Sequence, residues 1–292
     1  MPPDTPGGAL RVEDFRPVQI ADRPHFDRVR LDDLSPHVLN FANLVMWQDK
    51  YGFRWGLADD HIAVHNDARG CLYVDGITAV PPAVLARWFD RYMVPPEYLQ
   101  RHPDTERYFA AAPCPREQQD YIYGLDRLAR LDAVGPPRFR TSLHSFTRRH
   151  PDAELRALTG EDRDDCENLY QRWLAAKQGL DRPEWEHSAF LVAWEHFEAL
   201  ELAGFGLFAD GTLASFLIYD ALTPRTMLCH FLKSDYTVRS SSTAILWLSA
   251  RELVNRFDYF NFEQDLGLPG LRRYKEAMGP LAITGFVQLV RR

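Results

Sequence analysis

From residue 160 onward the hydrophobic period changes in a fixed order: helix, three strands, helix, strand, helix, strand. That order restricts the fold more than any composition figure does. Thr159 with Asp162 makes a capping-box pattern. Cys166, Leu169, Tyr170, Trp173, Leu174 and Lys177 then recur on one helical face to about residue 178. GFGLFADGTLASFLIYD places an Asp210-Gly211 hairpin turn between two apolar strands, and TMLCHFL (226–232) reads as the third. SSTAILWLSARELVNRF is amphipathic, YFNFE (259–263) is a strand, GLRRYKEAM a short helix and AITGFVQLV (282–290) a final strand. A helix between two strands calls for a parallel crossover, whereas hairpins give antiparallel pairs, so the sheet is mixed and flanked by helices: an α+β fold.

The first part of the chain has similar ingredients. LSPHVLNFANLVMW (34–47) carries a helical spread of apolar residues, FRWGLADDHIAVH (53–65) two strands turned at Ala58-Asp59-Asp60, and GCLYVDGIT (70–78) a third. Val84, Leu85, Trp88, Phe89 and Tyr92 predict a helix over 83–93, led by the prolines at 81 and 82. A chain of 292 residues, at about 150 per domain, has room for two such halves. Gly135-Pro136-Pro137 is the natural break, giving a loose leader over 1–20, a first half over 21–135 and a second over 136–292 that carries the candidate site.

Composition removes several classes of function. With 34 Lys plus Arg against 41 Asp plus Glu the net charge is −7, which opposes a broad grip on nucleic acid or anionic lipid, so a polyanion must be met locally. Arg138, Arg140, Arg148 and Arg149, with His144 and His150 and no acid from 138 to 150, form the one concentrated basic stretch, which fits a tRNA contact or a solvated helix face equally. Cysteines 71, 114, 166 and 229 show no CxxC, and His61 and His65 lack a third ligand, so no metal site is expected. The start of the chain does not resemble a signal peptide and no 18 apolar residues run together, so the expected compartment is the cytoplasm.

The order of elements resembles the acyltransferase fold of the GCN5-related N-acetyltransferases (GNAT), and the two halves together resemble a tandem of it, with two mixed sheets. That fold has a phosphate-cradling Gln/Arg-x-x-Gly-x-Gly/Ala loop after its fourth strand. Here Arg239-Ser240-Ser241-Ser242-Thr243-Ala244 stands there, with Ser242 in place of a glycine, which leaves a serine-rich helix cap as the other reading. Three stretches resemble the phosphatidylglycerol lysyltransferase C-terminal domain family: FANLVMWQDKYGFRW (41–55), DYIYGLDRLARL (120–131) with the segment after it, and HFLKSDYT (230–237) with NFEQDLGLPGLRRYKEAMGP (261–280). The last is similar to the family's N-x-E-x-D-L-G-x-x-G-L-R-x-x-K signature. Only four of the cations are lysines, and three of these, 50, 233 and 275, fall inside the resembling stretches. The resemblance implies transfer of an acyl group, often an aminoacyl group from aminoacyl-tRNA, to an amine or hydroxyl of a small or peptide acceptor, with no tightly bound cofactor.

Acyl transfer asks for few side chains: an amine relieved of a proton, a carbonyl within reach, and donors where the oxyanion grows. Glu263 and Asp265 are candidates to orient an ammonium and take its proton, or alternatively to shape the turn before Gly267. His230, ending its strand beside them, is a candidate base or a structural histidine. Tyr274 is a candidate acid or a core ring. Arg272 and Lys275, at i and i+3, would grip the donor with Lys233, Arg239, Ser242, Arg138 and Arg140, and in that role their removal would leave the thermal midpoint nearly unchanged. An acyl-CoA donor working through the Arg239 loop, and a non-catalytic binding module with a degenerate loop, are the alternative readings.

Overall fold

The computed structural model describes residues 10–176 and 183–292. Its strands are β1 (Arg16–Pro17), β2 (Phe53–Ala58), β3 (His61–Asn66), β4 (Cys71–Val74), β5 (Arg91–Val94), β6 (Phe109–Pro113), β7 (Asp120–Gly124), β8 (Glu154–Ala157), β9 (Ala203–Ala209), β10 (Thr212–Thr223), β11 (Thr226–Ser234), β12 (Tyr259–Asn261), β13 (Ala282–Thr284) and β14 (Val287–Arg291). They form two seven-stranded sheets, ordered β1-β2-β3-β4-β5-β14-β6 and β8-β9-β10-β11-β12-β7-β13. The two orders are the same once β1–β7 is laid over β8–β14, except that the seventh strands have changed places. Each sheet has a parallel pair at the matching position, β4 with β5 and β11 with β12.

The repeat extends to side chains. In the first half Arg16 pairs with the buried Asp22, whose carboxylate also accepts the Gln19 amide at 2.9 Å. In the second Arg156 pairs with the buried Asp162 at 2.6 and 3.0 Å, and Asp162 accepts the Thr159 amide at 2.8 Å. The spacing of six residues and the capping box are common to both.

Several expectations are corrected. Among the described residues the compact units are 10–119 with 284–292, and those within 120–283, so the spatial division falls at Gln119/Asp120 and not near Gly135. The Gly-Pro-Pro break separates sequence repeats, while the exchanged β7 and β14 move the structural boundary. AITGFVQLV is two strands, since β13 belongs to the second sheet and β14 to the first. The leader packs from Leu10 on: Leu10, Phe15 and Val18 are buried, and the Phe15 ring lies where a side chain at Gly56 would have to go. The helix expected over 83–93 stops at Trp88, because Phe89 turns extended and β5 pairs with β14 at Tyr92↔Leu289 and Arg91↔Val290. Of the 34–47 segment only Phe41–Met46 is α-helical, capped by the Asn40 side chain. The helix from Arg163 is described to Ala176, and Lys177 lies outside the described residues.

In the second unit the helix Ser241–Leu253 covers one face of the sheet, packing Ala244, Ile245 and Ala250 with Leu207, Leu217, Tyr219, Met227 and Cys229. On the other face the helices Arg163–Ala176 and Pro183–Glu195 bring Tyr170 and Phe190 onto Phe216 and Phe231, with ring centroids 4.9 to 5.6 Å apart. Two covered faces explain why β10 and β11 read as nearly continuous apolar runs. Among the described residues, no helix is long and apolar enough to cross a membrane.

Candidate active site

The parallel pairing of β11 and β12 ends at Leu228↔Asn261, while β11 continues to Ser234. Past that point the two strands part at their carboxyl ends, a place where open α/β sheets commonly take ligands. The register with β10 also breaks there, Tyr219 facing Cys229 and Ile218 facing Phe231, so His230 is the extra residue of a β-bulge. The bulge reverses the faces of the strand. Met227 and Cys229 belong to the cluster with the helix Ser241–Leu253, as Leu232 does beyond it, while Phe231 packs on Phe190. Apolar residues follow one another here without alternation, which suits a strand covered on both faces and leaves no polar face to fix the register against β10.

His230 is buried, with Nε2 3.1 Å from Asp220 Oδ1 on β10 and Nδ1 3.4 Å from Glu263 Oε1. Burial opposes its charge, but Asp220 and Glu263 together raise the imidazole to about 9. Glu263 sits at φ 52°, a backbone strain characteristic of functional loops, and its side chain is 19% exposed. His230 therefore cannot reach a substrate itself, and Glu263 is the accessible end of the chain of three.

The Glu263 loop is built by residues assigned to other tasks on sequence grounds. The Lys275 ammonium points inward, donating to the carbonyl of Phe262 and to those of Gln264 and Glu263 at 2.7 and 3.3 Å. It is buried, and burial pulls it down to about 8. A phosphate grip by Lys275 is thereby corrected, since its three protons are spent on backbone. Asp265 is wholly buried and accepts from Tyr121 Oη at 2.7 Å, the Gly267 amide at 2.9 Å and Arg272 at 2.7 and 3.0 Å. Burial alone would raise Asp265, but the hydrogen bonds from Arg272, Tyr121 and Gly267 hold it at about 2. Asp265 thus cannot take up a substrate proton, and Arg272 is committed to it, so both earlier roles give way to loop construction.

Lys233 is also turned away from donor binding. It is buried, donates to Glu186 Oε1 at 2.8 Å and lies over the Trp173 ring at 4.3 Å. Glu186 is the counterion there. Asp220, Tyr121 and Asn261 were also missed. Asn261 accepts the Glu263 amide at 2.8 Å and donates to Asp120 at 3.0 Å. Polar residues at the ends of apolar strands were the available signal.

A second group lies at the start of the helix Ser241–Leu253. A cleft of about 320 Å³ is lined by Arg138, Phe139, Ser142, Thr243, Gly270, Arg273 and Tyr274. The Tyr274 ring packs edge-on to Phe139 at 5.6 Å, while its hydroxyl is 3.4 Å from Thr243 Oγ1, so it serves packing and cleft together. Burial raises it, opposed by hydrogen bonds from Thr243 and Ser242. Ser240 adopts φ 72° at the helix cap without a side-chain capping bond. Arg239 is exposed and its carbonyl accepts from Arg149 at 3.1 Å. The basic stretch is one helix, Pro137–Arg149, burying Phe139, Leu143 and Phe146 and leaving Arg138, Arg140, His144 and Arg148 exposed.

With this geometry in place, the comparisons are informative. The family described as phosphatidylglycerol lysyltransferase, C-terminal, matches residues 32–286. The chain belongs to this family. A conserved protein of unknown function from Bacteroides thetaiotaomicron has the same fold at a TM-score of 0.84 and 23% identity, covering 95% of this chain and 99% of its own. L-PGS from Bacillus licheniformis aligns at 0.59 and 12% identity, covering 99% of this chain and 94% of its own. FemX aligns at 0.62 and 9% identity, covering 94% and 96%. These likenesses establish a tandem GNAT-like fold of two mixed sheets flanked by helices, as the order of elements predicts. No curated protein matches the chain.

Proposed function

We propose that this protein is an acyltransferase that moves an aminoacyl group from aminoacyl-tRNA to an amine or hydroxyl of a soluble small-molecule or peptide acceptor. The observation that carries the reading is Glu263: a partly exposed carboxylate on a strained loop where β11 and β12 part, backed by His230 and Asp220. Membership of a lysyltransferase family supports the transferase class, and the likeness to L-PGS and FemX supports the fold on which it would act. The donor carries the activated ester, so the chemistry calls for no resident cofactor.

In this reading the acceptor nitrogen or oxygen attacks the ester carbonyl as Glu263 takes its proton. A bond to the carbonyl carbon forms, the bond to the ribose oxygen breaks, and the proton passes from Glu263 to the leaving ribose hydroxyl. Arg138, Arg140, Arg239 and Arg273 offer exposed or cleft-lining cations to donor phosphates, a local grip of the kind a net charge of −7 demands. The hydroxyl-lined cleft of Thr243 and Tyr274 at the helix start favours a second reading, an acyl-CoA donor held there.

Filter binding with charged and uncharged tRNA at low and moderate salt, beside thermal shift with coenzyme A, separates these. Salt-sensitive retention of charged tRNA supports the first reading. Stabilisation by coenzyme A alone supports the second, and a response to neither supports a binding module that kept the fold and lost its donor.

A further inference from the structure

The two ring nitrogens of His230 face two different carboxylates: Nε2 hydrogen-bonds Asp220 at 3.1 Å, and Nδ1 lies 3.4 Å from Glu263 Oε1, within ion-pair distance but without hydrogen-bond geometry. A neutral imidazole has one N–H and would present a lone pair to one of those carboxylates. Only the doubly protonated ring suits both. We infer that Asp220 and His230 are positioning residues for Glu263, with Asp220 holding His230 as an imidazolium whose positive charge keeps the Glu263 carboxylate turned towards it at the opening between β11 and β12. This rests on the acyl-transfer role proposed for Glu263.

Three features of the fold make the arrangement possible. The bulge at His230 places a histidine where β11 would otherwise show an apolar side chain, on the same face as Asp220 of the neighbouring strand. Asp220 itself is 8% exposed, so it interacts with His230 away from bulk water and is weakly screened. The Glu263 side chain is fixed from its own backbone: its amide donates to Asn261 at 2.8 Å and its carbonyl accepts from Tyr121 N at 3.1 Å and Lys275 at 3.3 Å. One carboxylate oxygen, Oε1, faces His230, which leaves the other for the reacting proton.

The other charged and titratable groups nearby come from several elements. From the helix Pro269–Ala277, Lys275 lies close enough to Glu263 to act on it electrostatically, as does the Cys229 thiol from β11, which burial keeps protonated. Lys233 of β11 is neutralised by Glu186 of the helix Pro183–Glu195, and Asp265 by Arg272. The trio of Asp220, His230 and Glu263 thus carries a net single negative charge beside the Lys275 ammonium.

The test needs neither donor nor acceptor. Imidazole resonances of the intact protein are followed by NMR from pH 5 to 10, with H230Q identifying the His230 signals. The expected result is a ring that stays doubly protonated through pH 8 and loses its proton at least about one pH unit earlier in D220N, the scale of shift that one adjacent counter-charge produces. A His230 that is neutral at pH 7 in the unaltered protein overturns the inference, whether or not D220N folds. An unchanged titration in folded D220N overturns it as well. Where transfer is measurable, D220N should lower kcat with little change in KM and move the acid limb of the pH profile, and D220E should restore part of the loss. Absence of any transfer in the unaltered protein would refute the acyl-transfer role and leave the titration result standing.

Discussion

The pairing of Asp265 with Arg272 gives a stability effect whose size and pH range can be worked from the structure. Asp265 is fully buried and held at about 2 against an ordinary value of 3.8. At about 1.36 kcal/mol per unit, that difference makes the ionised Asp265 contribute about 2 kcal/mol at neutral pH. The folded state binds the proton more weakly than the unfolded chain, so the contribution is complete above about pH 5, near half at about pH 3 and gone below about pH 2. Asp265→Asn should therefore cost about 2–3 kcal/mol at pH 7, the larger figure including the partly orphaned Arg272. In a chain of this size that lowers the thermal midpoint by roughly 3–5 °C. The assay is urea unfolding of both proteins at pH 7, 5, 4 and 3, followed by tryptophan fluorescence, with the gap between them narrowing only over the most acidic steps. A gap that is constant from pH 7 to 3, or absent at pH 7, refutes the assignment of Asp265 and Arg272 as the brace of the Glu263 loop.

Four further outcomes concern the same unit. Lys275→Met strands the carbonyls of Phe262, Glu263 and Gln264, and should cost about 2–4 kcal/mol and speed amide exchange over 262–267, measured by mass spectrometry. Because burial pulls Lys275 to about 8, its contribution to stability rises as pH climbs from 8 towards 10.5, a rise that the Met variant should lack in chemical denaturation. Glu263→Gln should reduce any measured transfer by about 10²-fold or more with circular dichroism unchanged. If charged tRNA binds, Arg140→Ala should weaken it and reduce the slope of log K against log salt by about one, as expected for loss of one phosphate contact.

The sequence reveals local order and conceals direction. Glu263 and Asp265 stand out on spacing alone, and the loop they occupy lies where β11 and β12 part. The same spacing places Arg272 and Lys275 on one helix side, but whether an ammonium points to solvent or to backbone depends on what lies beneath, which no local pattern encodes. Lys275 and Lys233 both point inward for that reason. Glu186 escapes notice because its partner, Lys233, is distant in sequence, and Asp220 because its meeting with His230 depends on the β-bulge. Residues 91–94 show the converse case: an aromatic run continuing a helical period is drawn into a strand by pairing with β14, far along the chain, so tertiary structure overrides local preference.

The exchange of β7 and β14 has a consequence for how the molecule is made on the ribosome. β6 lies at the sheet edge with β14 as its one strand neighbour, and β14 is the strand that joins it to β5. The first unit thus has an unfilled slot throughout the synthesis of residues 120–283, and β5 presents an unpaired edge until Val287–Arg291 emerges. Folding from the amino end, the usual order for separate domains, is unavailable to this sheet, whose last piece is translated after the whole of its neighbour. A released chain ending at Ile283 should be sensitive to protease in its first unit and resistant in its second.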